Sequence, residues 1–300
     1  MRPVFFLLTA IIWAFPGFSK NVNNIAQLQT TDTVGGVRTV LLLGYYKPGD
    51  GGGGSFYWDD TATSKIRGIS VADTINPAPT GRWKRLLNTD YIDARWMGAV
   101  ANDSTIDNAG FFTQASSFAG SLRKILHIVN GIFWVKTTTS ITSNVFAKSS
   151  IIRIPSNITL SPVFSISSQV YRRIEGVHIE NTTRSSLRQD GIFIGNASNR
   201  LHIVNTILIN LNGYGMHLDR LWDSNIDQVN MNDCGSTEYQ QPAFYVGSDA
   251  GDNTNQCTFT GIQTENSRYY GIYVDDSKAY SNRFIGMHCE WNILHRVLIK

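Results

Sequence analysis

Gly191-Ile-Phe-Ile194, Gly215-Met-His-Leu218, Ala243-Phe-Tyr-Val246 and Gly271-Ile-Tyr-Val274 repeat one pattern: a small residue, an apolar residue, a ring, an apolar residue. Their first residues stand 24, 28 and 28 apart. A period of about 20–50 residues is the signature of a solenoid, in which each repeat leans only on its neighbours. The phase says more. Side chains alternate between the two faces of a strand. With Ile192, Met216, Phe244 and Ile272 inward, Ile194, Leu218, Val246 and Val274 are inward as well. Phe193, His217, Tyr245 and Tyr273 then point outward as a ladder of rings on a tube of stacked strands. Such a flat, repetitive surface suits a sugar chain.

A second ladder runs beside the first. Gly176-Val-His-Ile-Glu180-Asn181, Gly261-Ile-Gln-Thr-Glu265-Asn266 and Gly286-Met-His-Cys-Glu290-Trp-Asn292 share Gly-apolar-polar-x-Glu, and Asn230-Met-Asn-Asp233 reads as a shortened copy. One segment of each type per turn, joined by Asn-, Gly- and Ser-rich corners, makes an all-β chain, a parallel β-helix over roughly residues 140–292. The β-branched, Asn-rich composition and the period-two alternation exclude a helical solenoid.

Ahead of the repeat lie two other zones. In residues 20–89, Val40-Leu-Leu-Leu43, Ser55-Phe-Tyr-Trp58 and Thr80-Gly-Arg-Trp-Lys-Arg-Leu86 read as strands of a small β-rich domain. The loop Lys47-Pro-Gly-Asp-Gly-Gly-Gly-Gly54 is a hairpin-like turn. No Gly-Lys-Ser/Thr and no helix follow it, which argues against a phosphate cradle. In the second zone, Thr105 is a good N-cap for a helix near 105–120 carrying Ile106, Ala109, Phe112, Ala115, Phe118 and Ala119, most of them on one apolar face. Such a helix would cover one open end of the tube. The helix domain is expected over residues 90–300.

Bulk composition narrows the function. The 300 residues are 42% hydrophobic and only 16% charged, with a net charge of +3. No dense Lys/Arg run supports nucleic-acid binding; Arg82-Trp83-Lys84-Arg85 reads as an exposed strand end. Cys234, Cys257 and Cys289 fit no zinc spacing and are expected to pack in the interior. His178 and His288 share one outward phase without a third ligand, so no metal site and no cofactor is predicted. Arg2 followed by the apolar run Val4 to Phe15 and by Gly17-Phe18-Ser19 reads as a signal peptide over residues 1–19, too short to span a bilayer. That predicts a secreted protein without a stable membrane span. The alternative is a start codon placed too far upstream.

Several of these segments resemble a known family. Gly44-Tyr-Tyr, Gly49-Asp-Gly-Gly-Gly-Gly-Ser-Phe-Tyr-Trp-Asp59 and Thr80-Gly-Arg-Trp-Lys-Arg-Leu86 resemble the segment that precedes the β-helix in many bacteriophage tailspikes. Trp96-Met-Gly-Ala99, Asp103, Thr105 and Asp107-Asn108 resemble the opening motif of the pectate-lyase-like right-handed β-helix superfamily, Gly-Ala-x-Gly-Asp-Gly-x-x-Asp-Asp. Here Ala101-Asn102 stands for its middle glycine and aspartate, and Asn108 for its last aspartate. The family's Val-Pro-x-Gly-x-Tyr-x-Val appears as Val129-Asn-Gly-Ile-Phe-Trp-Val135, without the proline. The resemblance covers about residues 40–292. It implies a bacterial surface polysaccharide as partner, cleaved by hydrolysis or β-elimination, a homotrimer, and a virion tail if no signal peptide is made. These motifs are structural and carry no catalytic residue. Tailspikes need no export signal and usually continue well past the β-helix, whereas this sequence stops at Leu298-Ile-Lys300. Ile293, Leu294, Val297 and Leu298 read as one amphipathic turn closing the tube.

Hydrolysis needs two carboxylates. Rungs stack about 4.8 Å apart, so one phase on adjacent rungs gives roughly the retaining separation, and skipping a rung gives about 9–10 Å, near the inverting limit. Glu265 and Glu290 fit the first case, Asp219 and Asp275 the second. Gly195 and Gly247 hold the phase of Asp219 in neighbouring segments, which predicts an open notch between the two aspartates. Asp223, Asp227 and Asp276 lie nearby. Corner-turning is the competing role for all these acids. His217, Tyr245 and Tyr273, with Trp222 and Tyr239 on the margin, are candidate sugar-stacking residues or, equally, packing or subunit contacts. A non-catalytic glycan-binding module and a truncated prophage remnant are the alternatives to an enzyme.

Overall fold

The computed structural model describes residues 19–33, 36–75, 77–248, 253–294 and 297–299. The expected signal peptide lies outside them except for Ser19. Contacts divide the chain into two compact units, one comprising residues up to Gly49 and Gly53–Leu86, the other Asp50–Gly52 and Leu87 onward.

The first unit is a five-stranded sheet in the spatial order Ser19–Val22, Thr39–Leu42, Gly54–Asp59, Arg82–Arg85, Ser70–Ala72. The first pair is parallel and the others antiparallel. The sheet buries Val40, Leu42, Phe56, Val71 and Trp83, and Leu28 of the short helix α1 (Ile25–Gln29) completes that core. The basic run is not an exposed strand end. Arg82 and Arg85 are each 4% exposed. Arg82 donates to the carbonyls of Gly81 at 2.6 Å and Thr63 at 3.1 Å. Arg85 donates to those of Gly68 at 2.9 Å and Gly53 at 2.5 Å, and covers the Phe56 ring. Carbonyl acceptors meet most of these buried guanidinium donors, and the two side chains hold loops in place.

The second unit is a parallel β-helix. Each full turn runs through a first face, a bend, a second face, a corner and a third face, and four turns add a short fourth strand. The third face stacks Thr139–Ser140, Phe164–Ser167, Ile192–Gly195, Met216–Asp219, Phe244–Gly247, Ile272–Val274 and Val297–Ile299. The last strand corrects the amphipathic turn expected there. Val297 pairs with Ile272, and Ile293 N–H bonds Ser267 C=O at 2.9 Å, so this stretch continues the stack.

The glycines of the second ladder make the bend between first and second faces. Gly176, Gly261 and Gly286 have φ of 73°, 61° and 63°, and at the equivalent position of the intervening turns Asn205 and Gln228 have 56° and 53°. The rung Ile207–Ile209 lacked a recognisable glycine signature because asparagine, the next most tolerant residue of left-handed backbone, takes the bend.

Helix α2 (Ala109–Ser121) begins three residues later than the Thr105 cap predicts, with Asn108 at the N-cap. Thr105 is instead held by Asp103, whose Oδ1 accepts from Thr105 N at 2.9 Å and Oγ1 at 2.6 Å. Asp107 Oδ1 accepts from Ala109 N and Lys136 N, and the Asn108 side chain binds both backbone groups of Val100 and the carbonyl of Trp134. The Asp-Asn pair thus ties helix to first rung. Phe112 meets Phe133 edge to face at 5.5 Å. Cys234 and Cys257 are buried and Cys289 half-buried, none of them in a disulfide. Burial pushes the Cys234 and Cys257 thiols up to about 12.

Candidate functional site

The third-face ladder has the register its sequence implies: Ile192, Met216, Phe244 and Ile272 are direct partners in succession, and so are Phe193, His217, Tyr245 and Tyr273. The inward residues are at most 5% exposed. The ring column is where expectation and structure part. Phe193 meets His217 at 5.2 Å and His217 meets Tyr245 at 4.9 Å, both edge to face, and Tyr245 stacks on Tyr273 at 5.7 Å. Tyr214 packs against His217 and Tyr245, and Tyr270 against Tyr273. His217 and Tyr245 are only 8% exposed, so the middle of the expected platform is covered.

Glycine gives two of the rings room to lie flat. Two residues along a strand return to the same face. A Cβ on Gly247 would lie 2.4 Å from Tyr245 Oη, and one on Gly195 would lie 2.4 Å from Phe193 Cζ. The rings lie down over the glycines, so the open notch expected between Asp219 and Asp275 is filled. Asp219 is 3% exposed, with Arg220 Nε at 3.3 Å. Asp275 Oδ1 accepts from Ser277 Oγ at 2.6 Å, and Lys278 Nζ lies 3.8 Å from Oδ2. Trp222 belongs to the fourth, narrow sheet, where it pairs with Asn199 and Asn255, and its indole N–H donates to Asn253 C=O at 2.8 Å. Tyr239 sits in a loop with its hydroxyl 3.5 Å from Ser186 C=O. Of the extra acids, Asp223 is a corner residue with φ 48°.

Beside Phe193 and His217 lies a hollow of about 260 Å³ that also exposes Ser161, Arg188 and Asp190. Asp190 is 5% exposed and accepts from Arg188 Nη2 at 2.7 Å, Tyr214 N at 3.0 Å and Ser161 Oγ. By holding Tyr214 it supports the ring column from below.

The other acid pair lies on the second face. Glu265 and Glu290 are direct partners on adjacent strands. His288 stands between their side chains, its Nε2 3.9 Å from Glu265 Oε1 and 3.7 Å from Glu290 Oε1. Asn232 Nδ2 lies 3.4 Å from Glu265 Oε2, which orients that carboxylate. Both glutamates are open to solvent, 33% and 50% exposed at the side chain. His178, at the same phase as His288 but higher in the stack, has Glu180 Oε2 at 3.1 Å, while burial pushes its imidazole below the usual range.

The residue after each of these positions turns the corner. Asn210, Asp233 and Asn266 do so with φ of 61°, 50° and 54°, as asparagine and aspartate commonly do. The next turn places Trp291 there, at φ 54° and 78% exposed. A bulky residue in left-handed backbone is strained, and strain of this kind collects at functional sites. Trp291 borders a cleft of about 330 Å³ with Asn210, Asn232, Asp233, Asn266 and Arg268. Asn232 joins the cleft to the glutamate pair. Trp291 and Arg268 were not singled out by the repeat pattern; tryptophan in the Asn/Asp column was the available signal. Among the described residues, no three His, Cys, Asp or Glu side chains gather as a metal ion would require, and no helix is long and apolar enough to cross a membrane.

Comparison with known proteins follows this architecture. Residues 21–88 match the family described as the phage tail protein small four-stranded beta-sheet domain. Among solved structures, Pantoea stewartii WceF, described as a glycan biofilm modifying enzyme with a bacteriophage tailspike-like parallel β-helix fold, has a TM-score of 0.60 at 14% identity, over 90% of this chain and 48% of its own. Geobacillus virus E2 ORF18 gives 0.59 at 14% identity over 90% and 55%. The tailspike of Acinetobacter phage vB_ApiP_P1 gives 0.50 at 14% identity over 91% and 60%. The chain thus spans roughly half the length of the solved structures it matches. No curated protein sequence matches it. A segment that matches the phage-tail β-sheet domain, followed by a rung-by-rung parallel tube, gives this chain a tailspike-like parallel β-helix fold.

Proposed function

We propose that the protein binds a bacterial surface polysaccharide along the second face and cleaves it between Glu265 and Glu290. The in-register, solvent-open glutamate pair beside the exposed Trp291 carries this reading. Strands in register lie about 4.8 Å apart, close to the spacing at which one carboxyl protonates the leaving oxygen while the other attacks the sugar. Trp291 offers an apolar face to a pyranose ring, and Asn232 and Asn266 offer amides to its hydroxyls. In this reading Asp219 and Asp275 keep the third face in shape, and His217, Tyr245, Tyr273 and Trp222 act as packing. The likeness to WceF, a glycan biofilm modifying enzyme, supports a glycan as partner, the match to the phage tail domain supports a place on a virion tail, and a homotrimer follows the tailspike resemblance. Light scattering on the purified chain reads that assembly.

The test is incubation of the whole chain with a broad panel of capsules and lipopolysaccharides. New reducing ends are expected, and Glu265→Gln or Glu290→Gln should lower their rate by 10²-fold or more, roughly the worth of a general acid or base. Unsaturated ends would move the chemistry to β-elimination, and no products across the panel would overturn cleavage. Binding without cleavage is the second reading, favoured by the contacts that already hold Glu265 to His288 and Asn232. It predicts retention of a glycan that emerges intact.

A further inference from the structure

The first face carries a ring column of its own. Tyr91 stacks flat on His127 at 4.1 Å, His127 meets Phe146 at 5.3 Å, and Trp96 flanks Tyr91 at 5.7 Å. All four rings are half-exposed, and His127 and Phe146 wall a hollow of about 250 Å³. The column runs into a chain of polar groups. Glu175 is the direct strand partner of Phe146, and its Oε2 accepts from Arg173 Nε at 2.8 Å. Arg173 Nη1 lies 2.6 Å from His202 Nδ1, and His202 Nε2 lies 2.8 Å from Asp227 Oδ2. A guanidinium only donates, so Nδ1 accepts and the imidazole hydrogen sits on Nε2, pointing at Asp227. His202 is therefore the neutral link between a guanidinium and a carboxylate. The contact chain Glu175–Arg173–His202–Asp227 thus carries two carboxylates and one guanidinium.

We infer that this face holds a second glycan subsite, selective for neutral sugars. A pyranose ring seats its apolar face on Phe146 and His127, and its hydroxyls reach Glu175 and Arg173. An acidic sugar would bring a third negative charge to the patch and be rejected. The site differs in residues and face from the Glu265–Glu290 pair. It rests on the reading that the chain binds polysaccharide.

The experiment uses the whole chain on an array of capsule and O-antigen oligosaccharides, neutral and uronate-bearing. Phe146→Ala should weaken retention of neutral glycans about tenfold, the effect of losing roughly 1.4 kcal/mol of contact. Phe146→Tyr should restore it. Thermal unfolding of Phe146→Ala near the parent midpoint separates this from loss of fold. Parent-like retention by Phe146→Ala, or retention of uronate-bearing glycans alone, overturns the subsite while leaving cleavage at the glutamate pair standing. No glycan retained by the parent chain overturns both.

Discussion

On the third face, Phe193, His217, Tyr245 and Tyr273 form one ring column; on the first, Trp96, Tyr91, His127 and Phe146 form another. The third-face rings of Phe193 and Tyr245 have glycine two residues on, at Gly195 and Gly247, and lie down over it. His127 and Phe146 instead end their strands, Val129 and Lys148 lie in the bend beyond, and both rings stay partly exposed, as Phe193 does, whereas Tyr245 is buried. Aromatic content alone does not distinguish a packing column from a binding one. Glycine two positions along the strand shares the face and leaves a ring room to fold flat, and where it is absent, at His217, the flanking rings of Phe193, Tyr214 and Tyr245 do the covering.

The contrast can be tested by deletion. Tyr245→Ala removes a ring that is 8% exposed and should cost about 3 kcal/mol, whereas Phe146→Ala should cost about 1 kcal/mol or less, both read by urea unfolding. Equal costs would break the comparison. Gly247→Val asks whether glycine is the cause. It should lift Tyr245 off the strand, cost about 1–3 kcal/mol and make the phenol accessible to nitration, while Lys148→Val moves stability by about 0.5 kcal/mol at most.

A pH titration sharpens the same point. Burial pushes the His127 imidazole below its usual range, with Asp93 opposing. The unfolded chain therefore takes up a proton that the folded one resists, so this contribution to stability is present above the ordinary imidazole value and is lost as pH falls from there through the folded value. His127→Gln should flatten the stability curve in that window, and an unchanged slope would remove His127 from the account. The smallest expected effect concerns the shared interior. With Cys234 and Cys257 raised to about 12, alkylation of the native protein near neutral pH should be confined to Cys289, as mass spectrometry of the labelled chain would read.

The architecture was legible because a stacked tube imposes one phase on every turn, and alternation exposes that phase in the sequence. The inward residues, the Glu265–Glu290 register and the glycine bends followed from it. The burial of Arg82 and Arg85 did not, since it depends on carbonyls at Gly53, Thr63 and Gly68 that no local pattern brings together. Nor did the first-face column. Its rings come from rungs whose bends carry no repeating glycine, and Tyr91 comes from a strand that precedes the repeat. Trp291 was visible in the Asn-rich column yet went unassigned, because only the backbone angle reveals that the position is left-handed.

The aligned bends at Gly176, Asn205, Gln228, Gly261 and Gly286 have a further consequence. They hold the second face as a lattice with a constant step, whatever side chains stand on it. Outward side chains can then be exchanged one turn at a time above an untouched interior.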